Sequence, residues 1–237
     1  MVKEAIILAG GLGTRLRKVL EDIPKPMAPI QGVPFLKYLF WYLKTFPSIE
    51  KLILSVSYKK EIIMDYFGSS YEGFEVEYAV EETPLGTGGA IKNAFKLVKG
   101  NTALVLNGDT LFKVDLAEFV RLAFGVPFHI AIALKPIAQA GRYGSIELTP
   151  EGRIKSFKEK EEQQKALING GIYLVKKEVF DLVKTPNKFS FEKDFLEKHL
   201  DKLQVYGFVF DSYFIDIGIP EDYERAKKEL PKILRPL

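Results

Sequence analysis

Short apolar or alternating runs recur through the first half of the chain at residues 5–9, 52–57, 74–80 and 103–106. Each has the length of a strand and is followed by a loop or a segment long enough for a helix. Between them, residues 34–46, 59–67 and 88–98 carry apolar side chains at three- and four-residue spacing, and Pro34 stands where a first helical turn tolerates proline. This βα alternation predicts crossover helices on both faces of a mostly parallel sheet. In such a sheet ligands lie beyond the carboxyl ends of the strands. After residue 128 the pattern changes: runs at 128–134, 145–148, 153–157 and 168–175 follow with fewer helices between them, which predicts a mixed sheet with hairpins that covers the first half. Amphipathic stretches at 190–200 and 220–234 flank a strand-like run at 204–210. There is no internal repeat, low-complexity segment or linker, so the expectation is one α/β domain over residues 1–237, with a Rossmann-like, mostly parallel or mixed central sheet flanked by helices.

Composition narrows the partners. The chain is 47% hydrophobic, ample for a continuous core, and its net charge of +3 comes from lysines and arginines spread among acidic residues. No basic tract points to a nucleic-acid or membrane-surface partner, so an anion bound here is expected to be small. With no cysteine and only two histidines, disulfides and thiolate metal sites are excluded and zinc is disfavoured, which leaves a hard metal held by carboxylates. The apolar run at 5–9 is too short to cross a membrane, and Lys3-Glu4 ahead of a glycine loop is not signal-peptide architecture. A cytoplasmic location is expected. The oligomeric state, a homo-oligomer included, stays open.

The first candidate chemistry follows the first strand. In Leu8-Ala9-Gly10-Gly11-Leu12-Gly13-Thr14-Arg15-Leu16, glycine frees backbone amides to approach phosphate oxygens, and Arg15 adds a planar, multiply hydrogen-bonding cation. Lys25, stiffened between Pro24 and Pro26, brings a compact charge to a second phosphate. A Walker loop would close on Gly-Lys-Ser/Thr, and a dinucleotide fingerprint would need glycine where Leu16 stands. A plain glycine turn after a strand is the remaining alternative.

Two carboxylates stand out further on. Asp109, in Asn107-Gly108-Asp109, is placed at the carboxyl edge of the sheet beside the phosphate loop, and Asp216 lies in the apolar setting Phe214-Ile215-Asp216-Ile217-Gly218. A carboxylate in such a setting is costly without a cation, so the pair suggests a Mg²⁺ site. The alternative makes Asp109 a turn residue and Asp216 the cap of a helix starting near Pro220. Small residues in Pro84-Leu85-Gly86-Thr87-Gly88-Gly89-Ala90 leave room for a flat base, though Thr87 as a helix N-cap explains part of the segment.

The segment from Leu8 to Leu16, with Pro24-Lys25-Pro26-Met27, resembles the signature of the sugar-phosphate nucleotidyltransferase family, L-x-G-G-x-G-T-R-L followed by P-K-P. The resemblance implies the nucleotide-diphospho-sugar transferase fold and a reaction between a nucleoside triphosphate and a sugar 1-phosphate, with release of pyrophosphate. It implies that Leu8, Ala9, Gly10, Gly11, Gly13 and Thr14 hold the nucleotide, that Leu85, Gly86, Thr87 and Gly88 contact the nucleoside, and that Arg15, Lys25, Asp109 and Asp216 are catalytic. Asp109 and Asp216 match the family's magnesium aspartates. Arg142-Tyr143-Gly144, Glu159-Lys160 and Asn169-Gly170-Gly171 match positions that line the family's sugar-phosphate pocket, so Gly144, Glu159, Lys160, Asn169 and Gly170 become sugar-phosphate candidates. On charge pattern alone, Glu159 and Lys160 belong to a solvated run. Ser190-Phe191-Glu192-Lys193-Asp194 resembles a later S-x-E-x-D segment and is also an ordinary helix start; a supporting role is expected for it. His129 and His199 lie outside every motif and are expected to be structural.

The motifs together are most similar to those of the D-glycero-D-manno-heptose 1-phosphate guanylyltransferases, which implies GTP and a heptose 1-phosphate. Mannose 1-phosphate guanylyltransferases and several uridylyl- and thymidylyltransferases share the core motifs. A reading from another class is a silent, nucleotide-sugar-sensing subunit of the same fold. Such a chain would be expected to lose charged site residues, whereas Arg15, Lys25, Asp109, Glu159, Lys160 and Asp216 are all present.

Overall fold

A computed structural model describes residues 1–11, 23–138, 144–158 and 165–234. The chain runs through β1 (Glu4–Leu8), β2 (Pro29–Ile30), β3 (Val33–Pro34), α1 (Phe35–Lys44), β4 (Lys51–Val56), α2 (Lys60–Phe67), β5 (Ser70–Tyr71), β6 (Phe74–Val80) and α3 (Gly86–Ala94). It continues through β7 (Thr102–Asn107), β8 (Thr110–Phe112), α4 (Leu116–Phe124), β9 (Ile130–Ile137), β10 (Ser145–Leu148), β11 (Ile154–Lys158), β12 (Ala166–Lys176) and α5 (Val179–Leu182). A π-helical turn (Phe191–Leu196), a 3-10 turn (Glu197–His199), β13 (Val205–Val209), β14 (Phe214–Asp216) and α6 (Pro220–Ile233) complete it.

The centre of the sheet is the expected parallel set, with β1 between β7 and β4 and β6 beyond β4. The second half does not cover this set; it extends it. β12 pairs antiparallel with β7, β9 lies on the other edge of β12, and β13 runs parallel to β9, within one ten-stranded sheet. The physical reason is the backbone of β7, whose outer edge would otherwise leave a row of unpaired amides and carbonyls. Alternation along each strand then sorts the core into two layers. Ile6, Ile53 and Val105 face Ile91 and Ala94 of α3, together with Phe191 and Phe195. Ile7, Leu54 and Leu106 face Leu39, Phe40 and Leu43 of α1, Phe119 of α4 and Leu230 of α6. Each fully buried Leu or Ile here contributes roughly 2 kcal/mol.

Several local expectations are corrected. The helix expected at 88–98 begins two residues earlier, at Gly86, and ends at Ala94. The stretch at 190–200 winds as a π turn followed by a 3-10 turn, which brings Phe191 and Phe195 into stacked contact 5.7 Å apart inside the core. Helix α4 has no counterpart among the expected elements, although its start carries a sequence signal: the Asp115 carboxylate accepts the Glu118 amide as an N-cap. The pairs β2 with β3 and β8 with β14 are too short to announce themselves by alternation.

Candidate functional site

The carboxyl ends of β1, β4, β6 and β7 meet at one edge, and the first glycine loop leaves the sheet there. The Ala9 amide donates to the Ser55 carbonyl at 2.8 Å, and the Gly108 amide to the Leu8 carbonyl at 3.0 Å, so the loop departs pinned between β4 and β7. A Cβ at Gly108 would stand 2.4 Å from that same carbonyl, which is why glycine precedes Asp109. Gly13, Thr14 and Arg15 lie outside the described residues.

Below Gly10 lies Glu81, a buried carboxylate just past the end of β6. One oxygen accepts the Ser55 hydroxyl at 3.0 Å and the other the Leu85 amide at 2.9 Å. Sequence reasoning missed it because Glu81-Glu82 looks like a solvated acidic pair; its position immediately after a strand's carboxyl end was the available signal. Helix α3 follows, opening with Gly86 at φ +71°, a left-handed conformation that suits glycine. A Cβ there would also lie 2.6 Å from the Phe189 carbonyl. Thr87 is not the N-cap, since the helix starts from Leu85 without a side-chain cap. Its hydroxyl accepts the Phe191 amide at 2.8 Å and donates to Glu192 at 3.0 Å. Leu8, Gly10, Gly11, Glu81, Gly86, Thr87 and Asp109 line a cavity of about 440 Å³ at this edge. Ala9 and Gly88 are buried, and Leu85 is not among the lining residues.

Lys25 approaches from the turn Lys25–Met27, which Pro24 initiates, and only 9% of its side chain is exposed. Its ammonium lies 2.6 Å from Asp109 and 3.9 Å from Asp216. The two aspartates come together because β14 pairs with β8, setting Asp216 opposite Thr110, while the Ile217 amide donates to the Asp109 carbonyl at 3.0 Å. Asp216 is therefore not the cap of the last helix. That helix takes Ile219 as its N-cap residue with Pro220 in its first turn, and the Asp216 carboxylate accepts the Gly218 amide at 2.7 Å. Among the described residues one ammonium faces these two carboxylates, and carboxylate oxygens match the preference of a hard divalent cation. No group of three or more His, Cys, Asp or Glu that could hold a metal ion is gathered among the described residues.

The sugar-phosphate candidates gather beside β12. Asn169-Gly170-Gly171 is not a turn but a bulge inside that strand: from Asn169 to Tyr173, β12 advances four residues while β9 advances two. The Asn169 Nδ2 donates to the Tyr173 hydroxyl at 2.7 Å, and its Oδ1 accepts the Gly171 amide at 2.9 Å. The Tyr173 hydroxyl donates to Glu192 at 2.9 Å. Burial, and then the Glu192 charge, push the Tyr173 phenol well above its ordinary pKa, so it stays protonated. Gly144 and Asn169 line a second cavity, of about 490 Å³, with Lys158, Glu192 and Lys193. Gly170 is buried, and a Cβ there would strike the Phe112 ring at 2.2 Å. Glu159 and Lys160 lie outside the described residues. Ser190 does start the turn that carries Glu192: its hydroxyl accepts the Lys193 amide at 3.2 Å and its amide donates to Asp194 at 2.9 Å. His129 accepts the Gln204 amide at 3.0 Å, and His199 packs edge-on against Phe195.

Among the described residues no helix is long and apolar enough to cross a membrane. The chain matches the nucleotidyl transferase family over residues 4–233. It is 49% identical over 227 residues to D-glycero-α-D-manno-heptose 1-phosphate guanylyltransferase of Aneurinibacillus thermoaerophilus, covering 96% of this chain and 98% of that one. It is 49% identical over 220 residues to the enzyme of the same name from Campylobacter jejuni, covering 93% and 96% of the two chains. Crystal structures of HddC from Yersinia pseudotuberculosis, alone and complexed with GMP-PN, match with TM-scores of 0.86 and 0.83 at 40% and 39% identity, each covering 96% of this chain and 99% of that one. With a glycine loop, a lysine and two aspartates meeting at one sheet edge and a match that runs nearly end to end, the chain belongs to the nucleotidyl transferase family.

Proposed function

We propose that this chain joins the nucleotidyl group of GTP to a D-glycero-D-manno-heptose 1-phosphate in the cytoplasm, releasing pyrophosphate and giving a GDP-heptose for a cell-surface polysaccharide. The observation that carries the chemistry is Lys25 held between Asp109 and Asp216, with Asp109 opening on the cavity under the glycine loop. A phosphate oxygen of the sugar 1-phosphate attacks the α-phosphorus in line; the bond to the pyrophosphate oxygen breaks as the new phosphorus–oxygen bond forms. The nucleophile is already anionic at neutral pH, so no general base is needed, and the work lies in bringing two polyanions together and neutralising shifting charge. Lys25 and Arg15 serve the triphosphate. Glu159 receives sugar hydroxyls, and Lys160 receives the sugar phosphate. Asp109 and Asp216 would hold Mg²⁺, which supplies Lewis-acid stabilisation of the phosphoryl oxygens when bound.

Three observations favour guanine, and the first of them also favours heptose. The relatives of that name align over nearly the whole of both chains, and the HddC complex carries a guanine-nucleotide analogue. Within this chain, Glu81 sets an acceptor-only carboxylate at the floor of the cavity, complementary to the N–H and amino donors on one edge of guanine. Pyrophosphate release measured with Mg²⁺, each of GTP, UTP, dTTP, CTP and ATP, and a panel of heptose, mannose and other sugar 1-phosphates tests the reading. Selective release from GTP with the heptose is expected. Selectivity for another pair overturns the specificity, and release from none overturns the activity. Glu81→Gln is expected to lower kcat/KM for GTP by roughly 10-fold or more, because a donor then faces guanine's donors.

A further inference from the structure

Glu192 stands between the two cavities. One carboxylate oxygen accepts the Thr87 hydroxyl at 3.0 Å and the Ser190 hydroxyl at 3.3 Å; the other accepts the Tyr173 hydroxyl at 2.9 Å. A carboxylate only accepts, so the single Tyr173 proton must point at Glu192. The phenol oxygen is left to accept, and the group that faces it is the Asn169 amide nitrogen at 2.7 Å. At the same time the Asn169 carbonyl takes the Gly171 amide at 2.9 Å. Flipping Asn169 would set its NH₂ against the Gly171 N–H and its carbonyl against an oxygen with no proton to give.

We infer that Glu192 is a positioning residue: by fixing the direction of the hydrogen bonds in the run Thr87–Glu192–Tyr173–Asn169, it fixes which face of the Asn169 amide meets the sugar phosphate. The inference rests on the proposed reaction for the identity of that ligand; the directionality itself rests on the hydrogen-bond pattern. Its second consequence is a physical tie between the substrates' two cavities, since Thr87 lines the nucleotide side and Asn169 the sugar side. Tyr173 is fully buried, so no solvent hydroxyl replaces a lost partner, and its raised pKa keeps it a donor across the assay range.

Glu192→Gln has one acceptor oxygen for three donors, which frees the Tyr173 proton to turn and the Asn169 amide to flip. The expected result is a rise of roughly 10-fold in KM for the sugar 1-phosphate, the size of one mispaired buried donor, and a smaller rise in KM for GTP through the loosened Thr87 hydroxyl. Tyr173→Phe breaks the run without touching charge or Thr87 and is expected to raise the sugar 1-phosphate KM by a similar factor with KM for GTP within about 2-fold of wild type, which keeps the test alive if Glu192→Gln folds poorly. A merely structural role would lower the active fraction, hence kcat, and leave the sugar KM unchanged. The directionality is read without turnover from the side-chain NH₂ of Asn169 in protein labelled with ¹⁵N-asparagine, assigned through Asn169→Asp. Slow hydrogen exchange of this pair in wild type, lost in both variants, is the expected result. Wild-type sugar KM together with wild-type exchange in folded variants overturns the inference, whereas a wild-type protein that turns over no substrate pair overturns the proposed reaction instead.

Discussion

The two edges of the parallel sheet carry nearly the same set of charges, a buried lysine between two carboxylates, and use it differently. At the amino edge, Lys51 lies 2.9 Å from Glu77 and 3.9 Å from Glu4, and its ammonium also donates to the Leu97 carbonyl at 2.9 Å. Both oxygens of Glu4 are taken by the amides of Lys99 and Gly100 at 2.9 and 2.7 Å. At the carboxyl edge, Lys25 sits between Asp109 and Asp216, whose side chains are 36% and 24% exposed, against 8% for Glu4 and 35% for Glu77 at the amino edge. Glu4 and Lys51 bind the protein's own backbone and hold the turn after α3 to β1. At the carboxyl edge Asp109 accepts Lys25 and the Thr110 hydroxyl and borders the cavity lined by Gly10 and Gly11, while Glu4 and Lys51 border a cavity of their own, of about 540 Å³. The charge types are alike, and what separates the two sets is the source of their partners: Glu4 accepts two backbone amides, whereas Asp109 accepts the side chains of Lys25 and Thr110.

The largest expected effect falls on the carboxyl edge. Asp109→Ala and Asp216→Ala should each lower kcat for pyrophosphate release by roughly 100-fold or more, with little change in the urea midpoint. Chelation by EDTA should abolish turnover and added Mg²⁺ should restore it; full turnover in both variants would remove the metal from the reading. The next effect falls on the amino edge and moves the other observable. Lys51→Met leaves two carboxylates facing one another and should cost about 3 kcal/mol in urea unfolding, while kcat per folded molecule stays at the wild-type value. A fall in kcat there would erase the distinction between the edges.

The smallest effect is a pH dependence. The hydrogen bond from Lys51 holds the Glu77 carboxyl below its ordinary value of 4.5. A depressed carboxyl stabilises the fold above its unfolded-state pKa, and this contribution is lost as pH falls through the folded-state value. The stability gap between wild type and Glu77→Gln should therefore be present at neutral pH and close on acidification below pH 4.5; a gap that is constant with pH would mean that the ion pair does not contribute.

Much of this organisation was legible in the sequence because it is local. Strand-length runs ending in glycine or Asp placed β1 and β7, and Pro24-Lys25-Pro26 announced a stiff lysine. What stayed hidden depends on contacts between distant segments. Nothing along residues 168–175 says that β12 will pair with β7 rather than cover it. The triplet Asn169-Gly170-Gly171 has the composition of a turn, and only its partner strand makes it a bulge. Glu81 is written like any exposed acid and becomes a cavity floor because Ser55 and the Leu85 amide enclose it. Glu192 was legible as a helix-start acid, while its role as a common acceptor for Thr87 and Tyr173 appears only when residues from three parts of the chain are folded together.

The pairing of β14 with β8 also ties two distant stretches of sequence into one charge set. Gly10, Gly11, Lys25 and Asp109 all precede β8, and Asp216 follows about a hundred residues later. The β14–β8 ladder and the Ile217 amide on the Asp109 carbonyl carry Asp216 to Lys25. A substitution that loosens this short ladder therefore separates the two carboxylates while leaving both in the sequence.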